Sequence, residues 1–227
     1  MLLLAIDTSG KQGSIALARA GEPTAEGDFE IIEIAPLVGG TFSAQLIPQI
    51  AELLSSNGFM KTAIGAFAVV SGPGSFTGLR IGLAAVKALA EVLSKPIAAV
   101  SLLEVCVLAS GVQGKVMSAL DAGRSEVYVA EYEIPARAGQ PPRESILGRN
   151  EFLARAKGWT VVTPDSALAE AARAAGLTVS VLEPISAADV ARLGWRKIQS
   201  GETVGPEQLE ANYIRRTDAE MLEKIRS

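Results

Sequence analysis

The chain has 227 residues, which allows one large domain or two small ones with a substantial core. Hydrophobic residues make up 48% and charged residues 20%, a composition typical of globular rather than disordered proteins. The sequence contains no histidine, which excludes Ser-His-Asp and Cys-His nucleophile systems and the usual imidazole-based catalytic zinc sites. The net charge of −4, without any Lys/Arg-rich run, argues against a protein that binds nucleic acid alone.

Several features of the sequence favour a cytoplasmic protein that does not enter a membrane. No apolar stretch is long enough to span a bilayer. The opening residues MLLLAIDTSG lack a basic region and reach Asp7 too early for a signal peptide. The one cysteine, Cys106, excludes an internal disulfide and fits a reducing compartment.

Turn residues and hydrophobic periodicity predict that the first half opens with an antiparallel meander and continues with alternating helices and strands. Asn57-Gly58 is the expected stop of the first helix. In chain order, the predicted elements are strands at 2–6, 14–19 and 26–34, a helix from 43, a strand at 66–71, a helix to about 94, a strand at 97–100 and a short helix at 101–108.

The second half repeats the opening pattern of the first. Residues 116–134 again show an apolar strand, an aspartate, small residues and an alternating strand, so that Asp121 aligns with Asp7. This repeat predicts an α/β protein of two similar halves, the second reduced and irregular. After a Pro/Gly-rich loop at 135–145, we expect a helix at 150–157, strands at 160–163 and 178–182 flanking a helix at 166–175, and a helix to about 199 opened by the capping box of Ser186 and Asp189.

The glycine loop SGPGSFTG between a strand and a helix raises the question of phosphate binding. It fits neither standard fingerprint, because no Lys-Ser or Lys-Thr follows Gly78 and Thr77 occupies the third glycine position of G-x-G-x-x-G. Backbone amides at the start of the helix, capped by Ser75 or Thr77, could still face an anion, with Arg80 adding charge. The alternative, which we favour on the residues alone, is a tight and capped strand-to-helix turn.

Asp7 and Asp121 end strands at repeated positions, where a carboxylate is costly unless it is paired or functional. This pair resembles the acids of actin/hexokinase-type ATPases, in which the first hairpin of each half reaches the phosphates and the acids help to hold magnesium. Against an active kinase, residues 161–170 carry Thr-Pro-Asp-Ser where an adenosine loop would need glycines. The candidate phosphate-facing residues are Asp7, Thr8, Ser9, Gly72, Gly74, Ser75, Thr77, Asp121 and Arg124.

Strand alternation places Glu126, Tyr128 and Ala130 on one face of the second hairpin, for which we favour ordinary strand packing over a ligand role. The two longer helices of the first half carry more apolar surface than one sheet needs. Burial in the core of the chain's own fold is the default explanation, and a subunit contact is the alternative that the excess favours. The candidate interface residues are Leu46, Ile50, Leu53, Gly82, Ala85, Val86 and Leu89.

Four segments together resemble the TsaB (YeaZ) family: LLLAIDTS at the start, SGPGSFTGLRIG at 71–82, DAGRSEVYVAEY at 121–132 and YIRR at 213–216. The resemblance implies an actin-like ATPase (ASKHA) fold in a scaffold subunit without catalytic residues or a metal. It implies a role in making threonylcarbamoyladenosine in tRNA, as a heterodimer with the catalytic paralogue TsaD and together with the small ATPase TsaE. The resemblance further implies that the chain contacts tRNA only as part of the complex. It implies that the chain itself binds no cofactor tightly and that ATP and magnesium are bound by the complex.

Two departures from the wider pattern are visible. Leu102 and Cys106 occupy the positions of the two metal-binding histidines of TsaD, and Phe42 stands where TsaB proteins usually carry histidine. We expect halves at 1–102 and 103–227, with residues 207–227 packing back on the first half, and a homodimer when the chain is alone. The alternative function is a small phosphotransferase that uses Asp7 and Asp121 with magnesium.

Overall fold

The computed structural model describes residues 1–21, 29–38, 40–135 and 142–215 and divides into two compact units. The first unit contains residues 1–109 and 183–211, and the second contains residues 110–182 together with the described residues 212–215. The expected boundary after residue 102 therefore differs from this division. Residues 183–211 belong to the first unit because their helix packs on its sheet. Of the tail at 207–227 that was expected to pack back on the first half, residues 216–227 lie outside the described residues.

The first unit is built on a five-stranded sheet of order β3-β2-β1-β4-β5. Strands β1 to β3 form the predicted antiparallel meander, and β4 and β5 run parallel to β1. The strands are β1 (Leu2–Asp7), β2 (Gly13–Ala20), β3 (Phe29–Leu37), β4 (Ile64–Gly72) and β5 (Ile97–Ser101). The prediction of β3 at 26–34 was wrong at its end, since the strand continues to Leu37; residues 26–28 lie outside the described part of the chain.

Helices cover both faces of this first sheet. The helices that belong to the unit are α1 (Phe42–Ser56), α2 (Phe76–Leu93), α3 (Leu102–Ser110) and α6 (Ala187–Ser200), with a short 3₁₀ turn at Lys61–Ala63. The predicted stop of α1 is confirmed, with Asn57 as C-cap and Gly58 in the left-handed region. The predicted capping box of α6 is confirmed as well.

A row of alanines lets α6 lie close to the sheet. Ala16, Ala5, Ala68 and Ala98 are register partners across four neighbouring strands, so their side chains share one face. Gly194 of α6 lies over this row, because a Cβ at Gly194 would be 2.3 Å from the Cβ of Ala68. The neighbouring residues of each strand, such as Ile6 next to Ala5, point to the opposite face of the sheet, which is covered by α2.

The second unit repeats the strand order of the first. Its sheet, β10-β9-β6-β7-β8, has the same succession of three antiparallel and two parallel strands. The elements are β6 (Gly114–Gly123), β7 (Glu126–Ile134), β8 (Arg143–Gly148), α4 (Arg149–Arg155), β9 (Thr160–Thr163), α5 (Ser166–Ala174) and β10 (Thr178–Val181). The predicted loop to residue 145 was too long, because β8 begins at Arg143 and pairs with β7.

This duplicated topology is that of the actin-like ATPase fold, so the predicted fold class is confirmed. The second copy is reduced, since its two parallel outer strands have only four residues each. Each sheet builds its own core, around Phe67 in the first unit and Phe152 in the second. No helix in the described ranges is long and apolar enough to cross a membrane.

Candidate functional site

Asp7 ends β1 as predicted and is a buried carboxylate, with 6% of its surface exposed. Its Oδ1 accepts hydrogen bonds from the backbone N–H of Ser9 at 2.8 Å and from the Ser9 hydroxyl at 2.6 Å. Burial raises the pKa of Asp7 above its ordinary value, and the two bonds from Ser9 oppose that shift. The next residues, Thr8 and Ser9, are buried too, so the turn after β1 lies inside the first unit.

The buried turn at Thr8 and Ser9 packs against three glycines spaced four residues apart, Gly74, Gly78 and Gly82. A Cβ at Gly74 would be 2.6 Å from the Ser9 carbonyl oxygen, and one at Gly78 would be 2.0 Å from the Thr8 carbonyl oxygen. A Cβ at Gly82 would be 2.4 Å from the Thr8 hydroxyl. The spacing of the glycine loop therefore serves close packing of the chain against itself, because Thr8 and Ser9 fill the space that the missing side chains leave.

The polar groups of the loop are bonded to the same turn. The backbone N–H of Ser75 donates to the Ser9 carbonyl at 2.7 Å, and the Thr8 hydroxyl donates to the Gly78 carbonyl at 2.8 Å. Ser75 is the N-cap of α2, and its hydroxyl accepts from the N–H of Gly78 at 3.3 Å. Of the two predicted caps, Ser75 is confirmed, whereas Thr77 lies exposed inside the first helical turn.

The loop thus fits a capped strand-to-helix turn better than a phosphate site. Gly72, with a φ of 151°, ends β4 in a backbone conformation that side chains rarely allow. The turn after β1 fills the space where side chains at Gly74 and Gly78 would lie. Arg80 is directed to its own helix, with its guanidinium 3.7 Å from the centre of the Phe76 ring.

Asp121 differs from Asp7 in its surroundings, although the repeat predicted equivalence. The prediction that Asp121 ends a strand was wrong, because β6 continues through a bulge to Gly123 and the side chain is exposed. Asp121 Oδ1 accepts from the N–H of Gly123 at 3.2 Å, and its own N–H donates to Asp165 Oδ2 at 2.8 Å. Arg124 lies at the exposed tip of the hairpin with a φ of 56°. Asp7 and Asp121 belong to different units.

Most of the predicted interface residues form the core of the first unit instead. Leu46, Ile50, Leu53, Gly82 and Val86 are buried, since α1 packs on α2 and both pack on the sheet, so the assignment of these five to a partner surface was wrong. Ala85 and Leu89 are partly buried. The exposed side of α2 instead carries Ala84, Ala88 and Val92, with the charged residues Arg80 and Glu91 also exposed on the helix, and Val92 is 74% exposed. The spacing of apolar residues along α2 could not show which face of the helix is buried against the sheet and which is exposed.

Of the residues that depart from the family patterns, Phe42 and Cys106 are buried and Leu102 is partly buried. Phe42 is the first residue of α1 and is buried, with its ring beside Gly13, where a Cβ would be 3.1 Å from the ring. Leu102 begins α3, and Cys106 is completely buried one turn later. Within the described ranges, no cluster of three or more histidine, cysteine or acidic residues could hold a metal ion.

A Gly78→Ala substitution should destabilise the protein by about 1–3 kcal/mol, because its Cβ would overlap the Thr8 carbonyl. Gly148→Ala is the matched control, since nothing lies within 4 Å of a Cβ at that position. Urea denaturation of both variants checks the prediction. Equal stability of the two variants would contradict the packing role of the glycine row.

Asp7→Asn should stabilise the protein at pH 7, because burial opposes the charged form of the carboxyl. The raised pKa means that the folded state holds the Asp7 proton more tightly than the unfolded state. Stability is therefore lost as the pH rises from the ordinary value of 3.8 through the raised folded value, and asparagine, which still accepts from Ser9, avoids that loss.

Denaturation of Asp7→Asn and the parent chain at several pH values checks this. The advantage of the variant should shrink as the pH falls toward 3.8. Glu52→Gln, an exposed change on α1, is the control for general charge effects. An advantage that stays constant with pH would rule out the buried carboxylate as its cause.

Comparisons with known proteins agree with the fold and with the motifs. Residues 36–190 match the family model described as TsaD, tRNA N6-adenosine threonylcarbamoyltransferase. The Escherichia coli K12 protein named tRNA threonylcarbamoyladenosine biosynthesis protein TsaB is 32% identical over 231 residues, which cover 95% of this chain and 95% of its own. A Bacillus subtilis protein of the same name is 36% identical over 59% of this chain and 56% of its own.

Two solved structures cover nearly the whole chain. YeaZ from Pseudomonas aeruginosa is 26% identical, with a TM-score of 0.70 over 93% of this chain and 99% of its own. A structure described as similar to peptidase YeaZ from Pseudomonas aeruginosa is 28% identical, with a TM-score of 0.71 over 94% of this chain and 99% of its own. The chain therefore belongs to the TsaB (YeaZ) family, within the wider family to which the TsaD model refers.

Proposed function

We propose that this chain acts in the cytoplasm as a non-catalytic scaffold subunit in the synthesis of threonylcarbamoyladenosine in tRNA. The chain binds a TsaD-type catalytic paralogue and activates it, and a TsaE-type ATPase joins this complex. The chain contacts tRNA only as part of the complex. ATP and magnesium then act at the level of the complex. The main support is the likeness to the Escherichia coli TsaB protein over 95% of both chains.

The packing of the glycine loop supports the non-catalytic part of the proposal. The segment that most resembles a phosphate loop is filled by Thr8 and Ser9 of the same chain. The Thr8 hydroxyl donates to Gly78, the Ser9 N–H to Asp7 and the Ser75 N–H to Ser9, all within the first unit. A subunit that kept the fold and lost its chemistry would retain such a loop for stability.

The exposed row of α2 supports a protein partner for the first unit. Ala84, Ala88 and Val92 follow one another along one side of the helix, with Ala85 and Leu89 partly exposed beside them. Ile47, half exposed on α1, adds to the apolar surface of this pair of helices. Small side chains at helical spacing let a second helix approach closely. We propose this side of α1 and α2 as the contact with the paralogue, and as the contact of a homodimer when the chain is alone.

Ala88→Arg should abolish binding to the TsaD-type paralogue, or weaken it at least about tenfold, because the charge would be buried unpaired at the contact. Ala88 is exposed in the free chain, so the substitution spares its core. Ala154→Arg, an exposed position on α4 in the second unit, is the matched control. Size-exclusion co-elution of each variant with the paralogue is the measurement, followed by an assay of tRNA modification with the TsaE-type ATPase and ATP. Co-elution of folded Ala88→Arg at the parent level would refute this contact.

The buried carboxyl of Asp7 is the one observation that favours the alternative, a phosphotransferase, since perturbed acids cluster at functional sites. Under the scaffold proposal, the isolated chain should show no magnesium-dependent ATP turnover. A phosphate-release assay of the parent chain and of Asp7→Asn tests both functions. Turnover that is lost in Asp7→Asn would favour the phosphotransferase.

A further inference from the structure

Two of the four sequence motifs, far apart in the chain, contact each other within the second unit. Arg215, in the segment YIRR, pairs its guanidinium with the carboxylate of Glu126, in the segment DAGRSEVYVAEY. The same guanidinium lies 6.0 Å from the centre of the Tyr128 ring. Glu126 and Tyr128 lie on the same face of β7, as strand alternation predicted, and both contact Arg215, which follows Glu126 by 89 residues.

A second contact fastens the same segment three residues earlier. The side-chain amide of Asn212 donates to Glu144 Oε2 at 2.6 Å. Glu144 of β8 is the register partner of Ala130 on β7, so it shares the face of Glu126 and Tyr128. The segment Asn212–Arg215 therefore lies along one face of the β7–β8 pair and is held there at both ends.

Side-chain contacts are what hold this segment in place. Residues 212–215 form neither helix nor strand, so no ladder of backbone hydrogen bonds fixes them. A guanidinium between a carboxylate and an aromatic ring combines a charge-assisted hydrogen bond with a cation–π contact. The Arg215 side chain is only 26% exposed, which reduces the screening of this contact by water.

We propose that Arg215 is a latch residue, which fastens the segment Asn212–Arg215 to the face of the β7–β8 pair formed by Glu126, Tyr128 and Glu144. Leu209 is buried in the core of the first unit, whereas the contacts of Asn212 and Arg215 are made within the second unit. Breaking these contacts would uncover an acidic and aromatic face of the β7–β8 pair, formed by Glu126, Tyr128 and Glu144. This inference does not depend on the proposed function.

Backbone order parameters of residues 212–215 in the full chain, measured by NMR relaxation, test the latch. In the parent chain they should be near 0.85, the value of a rigid backbone, and in Arg215→Gln and Glu126→Gln they should fall below about 0.6. Arg155→Gln is the matched control, because it breaks another ion pair to β7, that of Arg155 with Glu131 at 2.6 Å. Its order parameters at 212–215 should stay at the parent value.

Two further variants separate the contributions to the latch. The exchange Glu126→Arg with Arg215→Glu should restore order at 212–215, whereas either reversal alone should abolish it. Tyr128→Phe keeps the ring and should leave the segment ordered, whereas Tyr128→Leu should loosen it. Unchanged order in Arg215→Gln, or equal loosening in Arg155→Gln, would overturn the proposal.

Discussion

The contact between the buried turn Thr8–Ser9 and the glycine row of α2 constrains the whole of the first unit. It joins the end of the central strand β1 to the start of the longest helix through two hydrogen bonds and direct contact of the backbones. Because the close approach requires glycine at positions 74, 78 and 82, the helix axis has little freedom relative to the sheet. Helix α1, which packs on α2, is placed in turn by the same contact.

In the second unit, the turn at the end of β6, which corresponds to the turn after β1, is held by a different contact. There β9 ends at Thr163, Pro164 and Asp165 lead into α5, and the carboxylate of Asp165 accepts from the N–H of Asp121. Asp165 is the N-cap of α5 but makes no capping bond with its side chain, since the carboxylate is directed to the hairpin. The turn after the central strand is therefore held by close packing against glycines in the first unit and by a carboxylate in the second.

Much of the fold could be predicted from the sequence, because meanders, helix stops and capping boxes are local patterns. Strand β8 was missed since Arg143–Gly148 is a partly exposed edge strand whose side chains barely alternate between buried and exposed. The candidate site was less accessible to sequence reasoning. The spacing of Gly74, Gly78 and Gly82 was visible, but its cause lies in a turn more than sixty residues earlier. Likewise, α2 is apolar on two sides, and only the packing of α1 shows which side stays exposed.

The discontinuity of the first unit has a consequence for synthesis on the ribosome. Its sheet is complete at Ser101, but α6, which covers the alanine row, ends only at Ser200, 99 residues later (200 − 101). At the usual pace of translation, roughly 5–20 residues per second, the face formed by Ala5, Ala68 and Ala98 stays uncovered for roughly 5–20 seconds. Small side chains along this face limit the hydrophobic area that is open to wrong partners during that interval.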